Sequence, residues 1–216
     1  MHNFKYVTKR HLFPVKEELI QIINEVQDQV RKDFTFQYEF VGSVKRNMVT
    51  YDAGTNVGYD FDVNILVNID KFNFQAKEIK TKIRLALAKI AHQYGYANAE
   101  DSTRVITIKV KDKQNSRILH SCDFAIVNDY IDDDGNKRQK YIHFSKKQKS
   151  YSWKEQPHGF YLLEEKAEWI RSKGHWDEIR DLYLYKKNTN DILSKHSRSI
   201  YAETVHEICQ KYGYYN

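Results

Sequence analysis

The sequence contains little cysteine, proline or glycine, and each shortage excludes a class of protein. Cys122 and Cys209 are the only two cysteines, so neither a disulfide framework nor a cysteine-rich zinc site can be built. Two prolines and eight glycines in 216 residues argue against collagen-like repeats and low-complexity linkers. A reducing compartment is the simplest setting for two separated thiols, so we expect a cytoplasmic protein.

Long apolar runs are also missing. No stretch approaches the roughly 20 residues that cross a bilayer, and MHNFKYVTKRHLF lacks an apolar signal core, so we expect no membrane partner. Hydrophobic residues still make up 41% of the chain, which is enough for a core. The net charge of +6 favours anionic partners such as nucleotides or RNA, although an ordinary soluble surface explains it equally well.

The first two thirds of the chain mix helical and strand patterns. Apolar residues at helical spacing predict helices over 14–32, with Pro14 in the first turn, and over 75–94. Alternating or aromatic-rich segments predict strands at 36–41, 59–68, 104–111, 117–128 and 137–144. Turns are predicted at Asn115-Ser116 and 132–136, and residues 44–58 are expected to be mostly loop.

From about residue 159 the pattern becomes purely helical. Helices are predicted at 160–173, 176–188 and 199–212, and the polar segment 146–157 is the best candidate for a boundary. We therefore expect an α+β fold in two domains. Residues 1–150 would form a sheet with flanking helices, and residues 151–216 a small helical domain.

Two of the predicted strands carry acidic side chains opposite apolar ones. Residues two apart in a strand point the same way, so Asp60, Asp62 and Asn64 share one face of their strand. On the later strand Asp123 shares a face with Ser121, and the opposite face is apolar. If the two strands are neighbours in one sheet, three carboxylates converge.

Clustered carboxylates repel one another, and a hard divalent cation such as Mg²⁺ relieves that repulsion. Two such ions can clamp the attacking and leaving oxygens of an in-line displacement. Gly42-Ser43 follows a strand, and a glycine there lets backbone amides and a hydroxyl approach phosphate oxygens. Taken singly, each aspartate is also explained as a solvated edge residue, a loop cap or a partner of a lysine.

Three short motifs, in this order, resemble a known signature. F-V-G-S at 40–43, Y-D-F-D-V at 59–63 and C-D-F at 122–124 are similar to motifs of the DNA polymerase β-like nucleotidyltransferase superfamily. The resemblance is to its branch of poly(A) polymerases, oligoadenylate synthases and cGAS-like synthases. One departure is the gap of sixteen residues between Ser43 and Asp60, which is longer than is usual in the family.

The resemblance implies a fold, a reaction and roles for residues. The fold would be a mixed sheet with flanking helices followed by a helical substrate-binding domain, and the reaction would move an NMP from an NTP to a hydroxyl with release of pyrophosphate. Asp60 and Asp62 would bind two Mg²⁺ or Mn²⁺ ions. Asp123 would bind the catalytic ion and help to deprotonate the acceptor. Gly42 and Ser43 would hold the triphosphate.

The carboxyl-terminal third is similar to the helical module of the same branch, through IRDLYLYKKN at 179–188 and SIYAETV at 199–205. The similarity implies that Lys186 or Lys187 neutralises phosphate charge and that Ser199 and Tyr201 lie near the nucleotide. The alternative is that both lysines are solvated at a helix end and that Ser199 is an N-cap.

The predicted function is therefore a metal-dependent nucleotidyltransferase that uses an NTP. A nucleotide or RNA end ranks first as the acceptor, and a protein or small-molecule hydroxyl second. Two alternatives stay open: a non-catalytic nucleotide- or RNA-binding module, and a toxin–antitoxin enzyme acting on tRNA or protein. The mixed basic and aromatic segment 141–153 could stack a base, although a lysine-rich loop over core aromatics is the commoner arrangement.

Overall fold

The computed structural model describes residues 2–55, 57–71, 73–112, 114, 117–192 and 195–214, so the turn predicted at Asn115-Ser116 lies outside the described residues. In chain order the elements are β1 (Phe4–Tyr6), α1 (Lys9–Val30), β2 (Phe36–Val41), α2 (Gly42–Lys45), β3 (Thr50–Asp52), β4 (Val57–Val67), α3 (Ala76–Gln93), β5 (Glu100–Asp101), β6 (Val105–Asp112), β7 (Arg117–Ile131), β8 (Lys137–Ser145), β9 (Ser150–Glu155), α4 (His158–Ser172), α5 (Trp176–Thr189) and α6 (Ser197–Lys211).

The chain divides into two compact units. The sheet unit consists of Tyr6–Val49 and Asn56–Gln156, and the helical unit of Met1–Lys5, Thr50–Thr55 and Pro157–Asn216. The units are defined by packing alone, and the domain limits of 1–150 and 151–216 stay a prediction.

The sheet unit is built on one mixed sheet in the order β2-β4-β7-β6-β5, with β8 paired to β7 and β9 paired to β8. Strands β4 and β7 run parallel, and the other pairs are antiparallel. Apolar residues of α1 and α3 pack with the buried side of this sheet in a single core. The predicted α+β class, a mixed sheet with flanking helices, is confirmed.

Helix α1 begins earlier than the sequence pattern indicated. It starts at Lys9, because Thr8 caps it by accepting a hydrogen bond from the His11 amide, and buried Leu12 lengthens the apolar stripe. Pro14 therefore lies inside the helix, so its predicted place in the first turn is wrong.

Two segments expected to be irregular are partly ordered. Residues 44–58, predicted as mostly loop, contain the end of α2, all of β3 and the start of β4. The polar segment 146–157 contains β9, in which Tyr151 and Trp153 alternate with polar residues and pack against the core. This alternation, rather than the average polarity of the segment, explains why it forms a strand.

The helical unit contains α4, α5 and α6, as predicted, and buries Ile170, Ile179, Tyr183, Ile200 and Val205. Strands β1 and β3 form a separate two-stranded sheet. Among the helices of the described residues, none combines the length and the apolar character needed to span a bilayer.

Asp52 ties β3 to the first residues of the chain. Its buried carboxylate accepts hydrogen bonds from the His2 ring at 2.8 Å, the Asn3 amide at 3.0 Å and the Gly54 amide at 2.9 Å. Burial alone would raise the pKa of Asp52, but these donors outweigh it and lower the pKa from 3.8 to about 2.

Asp52→Asn should therefore remove a pH-dependent part of the stability. A pKa lowered by folding stabilises the folded state above the unfolded value of 3.8, and this stabilisation disappears as the pH falls towards 2. Urea unfolding should show a deficit of about 2 kcal/mol at neutral pH that shrinks below pH ~4. Asp28→Asn, which removes a carboxylate with 68% side-chain exposure, is the control and should stay within about 0.5 kcal/mol of the parent at neutral pH.

Candidate active site

The parallel pairing of β4 with β7 aligns the acidic positions. Asp62 lies directly beside Asp123, and Asp60 directly beside Ser121. Neighbouring strands are about 4.8 Å apart, so these side chains leave the same face of the sheet as close neighbours. The intervening Phe61 and the other odd-numbered β4 residues that follow it are buried on the opposite face, in the phase that the sequence predicted.

Hydroxyl groups hold two of the three carboxylates. Ser121 donates to Asp60 Oδ1, and Thr107 on the neighbouring β6 donates to Asp123 Oδ1 at 2.5 Å. Thr107 is the direct cross-strand partner of Asp123. Sequence reasoning missed Thr107, although it alternates with the buried Ile106 and Ile108 and shares the phase of Lys109.

Negative charge accumulates at this face. Burial raises the pKa of Asp123, and the nearby Asp60 raises it further, while the Thr107 hydrogen bond and Lys109 oppose the shift. The pKa of the Cys122 thiol is also raised well above its usual value by burial and by the surrounding carboxylates. A cation at this face would relieve that repulsion.

The donor set suits a hard divalent ion in its chemistry, since all three side chains offer carboxylate oxygens on one sheet face. Within the described part of the chain, however, no three His, Cys, Asp or Glu side chains are gathered in an arrangement that could hold a metal ion as it stands. The carboxylates of Asp60 and Asp123 are instead engaged by the hydroxyls of Ser121 and Thr107.

The turn after β2 packs against β4, the strand that carries Asp60 and Asp62. Gly42 has a φ of +64°, and a Cβ built on it would lie 2.1 Å from Asp62 Oδ2, so a side chain is excluded on both counts. Ser43 follows in the single turn of α2, and its carbonyl accepts a hydrogen bond from the Met48 amide at 2.8 Å. Gly42 and Ser43 thus lie at the same edge of β4 as Asp62.

The helical unit contains the four carboxyl-terminal residues predicted to bind nucleotide. Lys186 pairs with Glu207 at 2.5 Å. Lys187 is only 7% exposed. Its ammonium donates to Thr50 Oγ1 at 2.8 Å and lies over the Phe4 ring.

In the same unit Ser199 is exposed, and Tyr201 is buried against Tyr183. The alternative that Ser199 is an N-cap is wrong, because α6 begins at Ser197 and its N-cap is His196.

A buried hydrogen-bond chain that sequence reasoning missed lies beneath the Asp60–Ser121 pair. Tyr96 donates its single hydroxyl proton to Glu18 at 2.8 Å, so it must accept its 3.0 Å bond from His120 Nε2. Burial lowers the pKa of His120, although the Glu18 charge opposes this. The His120 ring stacks on Tyr59, its partner in the parallel ladder.

A mixed sheet with a Gly-Ser turn after β2 and carboxylates on β4 and β7 defines a nucleotidyltransferase fold. The chain resembles CdnE c-di-GMP synthase from Capnocytophaga granulosa, with a TM-score of 0.60 and 19% identity over 98% of this chain and 64% of that one. It also resembles the Rhodothermus marinus CdnE c-UMP-AMP synthase solved with Apcpp and Upnpp, with a TM-score of 0.54 and 12% identity over 88% of this chain and 68% of that one.

A third resemblance is to Vibrio cholerae DncV, a cyclic AMP-GMP synthase solved with the linear intermediate pppA(3′,5′)pG. Its TM-score is 0.55 at 14% identity, over 88% of this chain and 52% of that one. No protein-family model and no curated protein matches the sequence. The chain thus spans about half to two thirds of these synthases, and the resemblance suggested by its motifs is confirmed at the level of the fold.

Gly42→Ala should destabilise the protein more than a positive φ alone explains. Gly95→Ala is the matched control, because Gly95 has a φ of +83° and no atom within 4 Å of a built Cβ. Both variants incur about 1–2 kcal/mol of backbone strain, and Gly42→Ala should lose about 1–3 kcal/mol more through its clash with Asp62. Equal losses in urea unfolding would show that the contact is not tight.

Tyr96→Phe should cost about 1–3 kcal/mol of unfolding free energy, because it leaves a buried His120 donor without its acceptor. Tyr94→Phe is the control, since Tyr94 makes a similar bond to Glu25 at the surface. The control should stay within about 0.5 kcal/mol of the parent. If the two substitutions cost the same, the buried chain is not a stabilising element.

Proposed function

We propose that this chain is a metal-dependent nucleotidyltransferase that moves an NMP from an NTP to a hydroxyl acceptor and releases pyrophosphate. The observation that carries the proposal is the in-register pairing of Asp62 with Asp123, with Asp60 on the same face and Gly42 against Asp62. Folds of this type are shared with synthases solved with nucleotides, which supports an NTP as the donor.

Asp60, Asp62 and Asp123 are the residues we assign to two Mg²⁺ or Mn²⁺ ions. When bound, such ions neutralise phosphate charge and stabilise the attacking and leaving oxygens. Thr107 and Ser121 orient the carboxylates through the oxygens to which they donate. To Asp123, which Thr107 holds by Oδ1, we assign the role of accepting the proton of the acceptor hydroxyl.

The turn at Gly42 and Ser43 is assigned to the triphosphate. The absence of a side chain at Gly42 lets the backbone approach phosphate oxygens closely, and the Ser43 hydroxyl adds a donor. In the helical unit we assign Lys186, Lys187, Ser199 and Tyr201 to the nucleotide, on the strength of the sequence resemblance. Lys186 and Ser199 are the more accessible of the four and are the first to test.

The direct test is incubation with each labelled NTP and Mg²⁺ or Mn²⁺, with total RNA and without it. Pyrophosphate release with a new small product favours a nucleotide acceptor, and labelled RNA favours a tailing enzyme. Label transferred to tRNA or protein alone favours the toxin–antitoxin alternative. Nucleotide binding without turnover under any of these conditions favours a non-catalytic binding module.

Asp62→Asn and Asp123→Asn should each lower pyrophosphate release by about 100-fold or more, since several kcal/mol of charge stabilisation are lost. Neither should lower the metal-free unfolding free energy by much, because each removes a repelling charge. Asp33→Asn, whose carboxylate pairs with Lys82 at the surface, is the control and should keep full activity. Equal activity in all three variants would contradict the assignment.

A further inference from the structure

The face of the sheet that carries Asp123 continues into a basic and aromatic region. Asp123 and Val127 share one side of β7, and Val127 pairs with Tyr141 on β8. Tyr141 in turn pairs with Lys154 on β9. Because directly opposed residues of antiparallel strands point the same way, Tyr141 and Lys154 lie on the same face as the acidic cluster.

Val127 supports this orientation. It is fully buried, yet it lies outside the core formed with α1 and α3, where its neighbour Ile126 is packed. The pairing of Tyr141 with Val127 therefore places the Tyr141 ring on the side of the sheet away from those helices.

Arg104 lies over the ring of Tyr141. Its guanidinium carbon lies 3.9 Å from the centroid of the Tyr141 ring, and one of its nitrogens donates to Gln156 Oε1 at 2.7 Å. A guanidinium held over a ring by a hydrogen bond keeps its outer plane in a fixed orientation. Such planes stack on nucleobases.

Two cations, Arg104 and Lys154, lie in this region. Among the described residues, no carboxylate oxygen lies within 4.0 Å of the charged groups of Arg104 or Lys154, whereas Lys109 on the same face is paired with Glu100. The pKa of neighbouring His143 is lowered by burial and then by Lys154, Lys80 and Arg104. Arg104 and Lys154 thus bring positive charge to this region, and Asp129, on the same face of β7, accepts a hydrogen bond from Gln139.

The distance between Tyr141 and Asp123 suits one nucleotide with its phosphates. Four residues along β7 and one strand across place the Tyr141 backbone about 14 Å from that of Asp123. An acceptor whose hydroxyl reacts at Asp123 can extend its base and its 5′-phosphates over that span. A protein hydroxyl offers neither an aromatic base nor a phosphate to this surface.

We propose that Arg104, stacked on Tyr141, is the platform for the base of an acceptor nucleotide, and that Lys154 binds the phosphate of the same nucleotide. This inference rests on the proposed function and extends it by naming the acceptor class and the residues that select it. A free nucleotide and the 3′ end of an RNA share this chemistry, and the experiment separates them.

The test uses acceptors that cannot act as donors: an NTP with a methylene bridge between its α- and β-phosphates, and a short 5′-phosphorylated RNA. Arg104→Gln should raise the KM of the true acceptor about tenfold through loss of stacking. The donor KM and kcat at saturating acceptor should stay within about twofold. Arg104→Lys, which keeps the charge but loses the plane, should resemble Arg104→Gln.

Arg171→Gln is the matched control, because Arg171 also lies 3.9 Å over an aromatic ring, that of Trp176, but in the helical unit. It should leave the acceptor KM unchanged. Lys154→Gln should reduce by about one the slope of log affinity against log salt concentration, which a structural role would not do. An unchanged acceptor KM in Arg104→Gln, or a fall in kcat with no change in KM, would overturn the proposal.

Equilibrium dialysis of the same two acceptors separates this inference from the proposed function. The parent protein could release no pyrophosphate and still bind either acceptor. If Arg104→Gln then weakens that binding and Arg171→Gln does not, the base platform is supported and the proposed reaction is wrong. If the parent turns over an NTP and Arg104→Gln binds both acceptors as tightly as the parent does, the proposed reaction is supported and the proposed base platform is wrong.

Discussion

The parallel pairing of β4 with β7 is the constraint on which the candidate site depends. Each strand buries one face beneath α1 and α3, so a slip of one residue would bring Asp62 or Asp123 into the core and expose Phe61 or Phe124. Such a slip is costly, because a buried unpaired carboxylate and an exposed phenylalanine are both unfavourable. The core thereby fixes the register that brings the carboxylates onto one face as close neighbours.

That register concentrates charge, and the neighbouring strands supply the compensation. Thr107 and Ser121 donate to Asp123 and Asp60, and Lys109 contributes positive charge from β6. The pKa of Asp123 remains raised in spite of these groups, first by burial and then by the nearby Asp60. Clustered like charge that persists in a folded protein is typical of functional sites, where binding a cation supplies the missing stabilisation.

Sequence periodicity predicted the parts of this arrangement that depend on local order. The alternation of polar and apolar residues along β4 and β7 predicted that Asp60, Asp62 and Asp123 face away from the apolar side chains. The residues adjacent to them in sequence are buried in that alternating pattern. Whether the two strands are neighbours is a matter of topology, and the local sequence left it open. The bond from Tyr96 to Glu18 joins residues 78 positions apart, and no periodicity predicts such a contact.

The sequence identity to the solved synthases is only 12–19%, so the residues that maintain the fold can be distinguished from those that select the acceptor. A fold survives such divergence because the core requires apolar volume and phase rather than particular residues. The open face of the sheet is under no such requirement. In the described part of the chain, Arg104 and Lys154 carry charge there with no carboxylate oxygen within 4.0 Å, an arrangement that packing of the sheet does not require. The proposed acceptor nucleotide would account for both cations, and acceptor selection would then lie on strands that the core leaves free to vary.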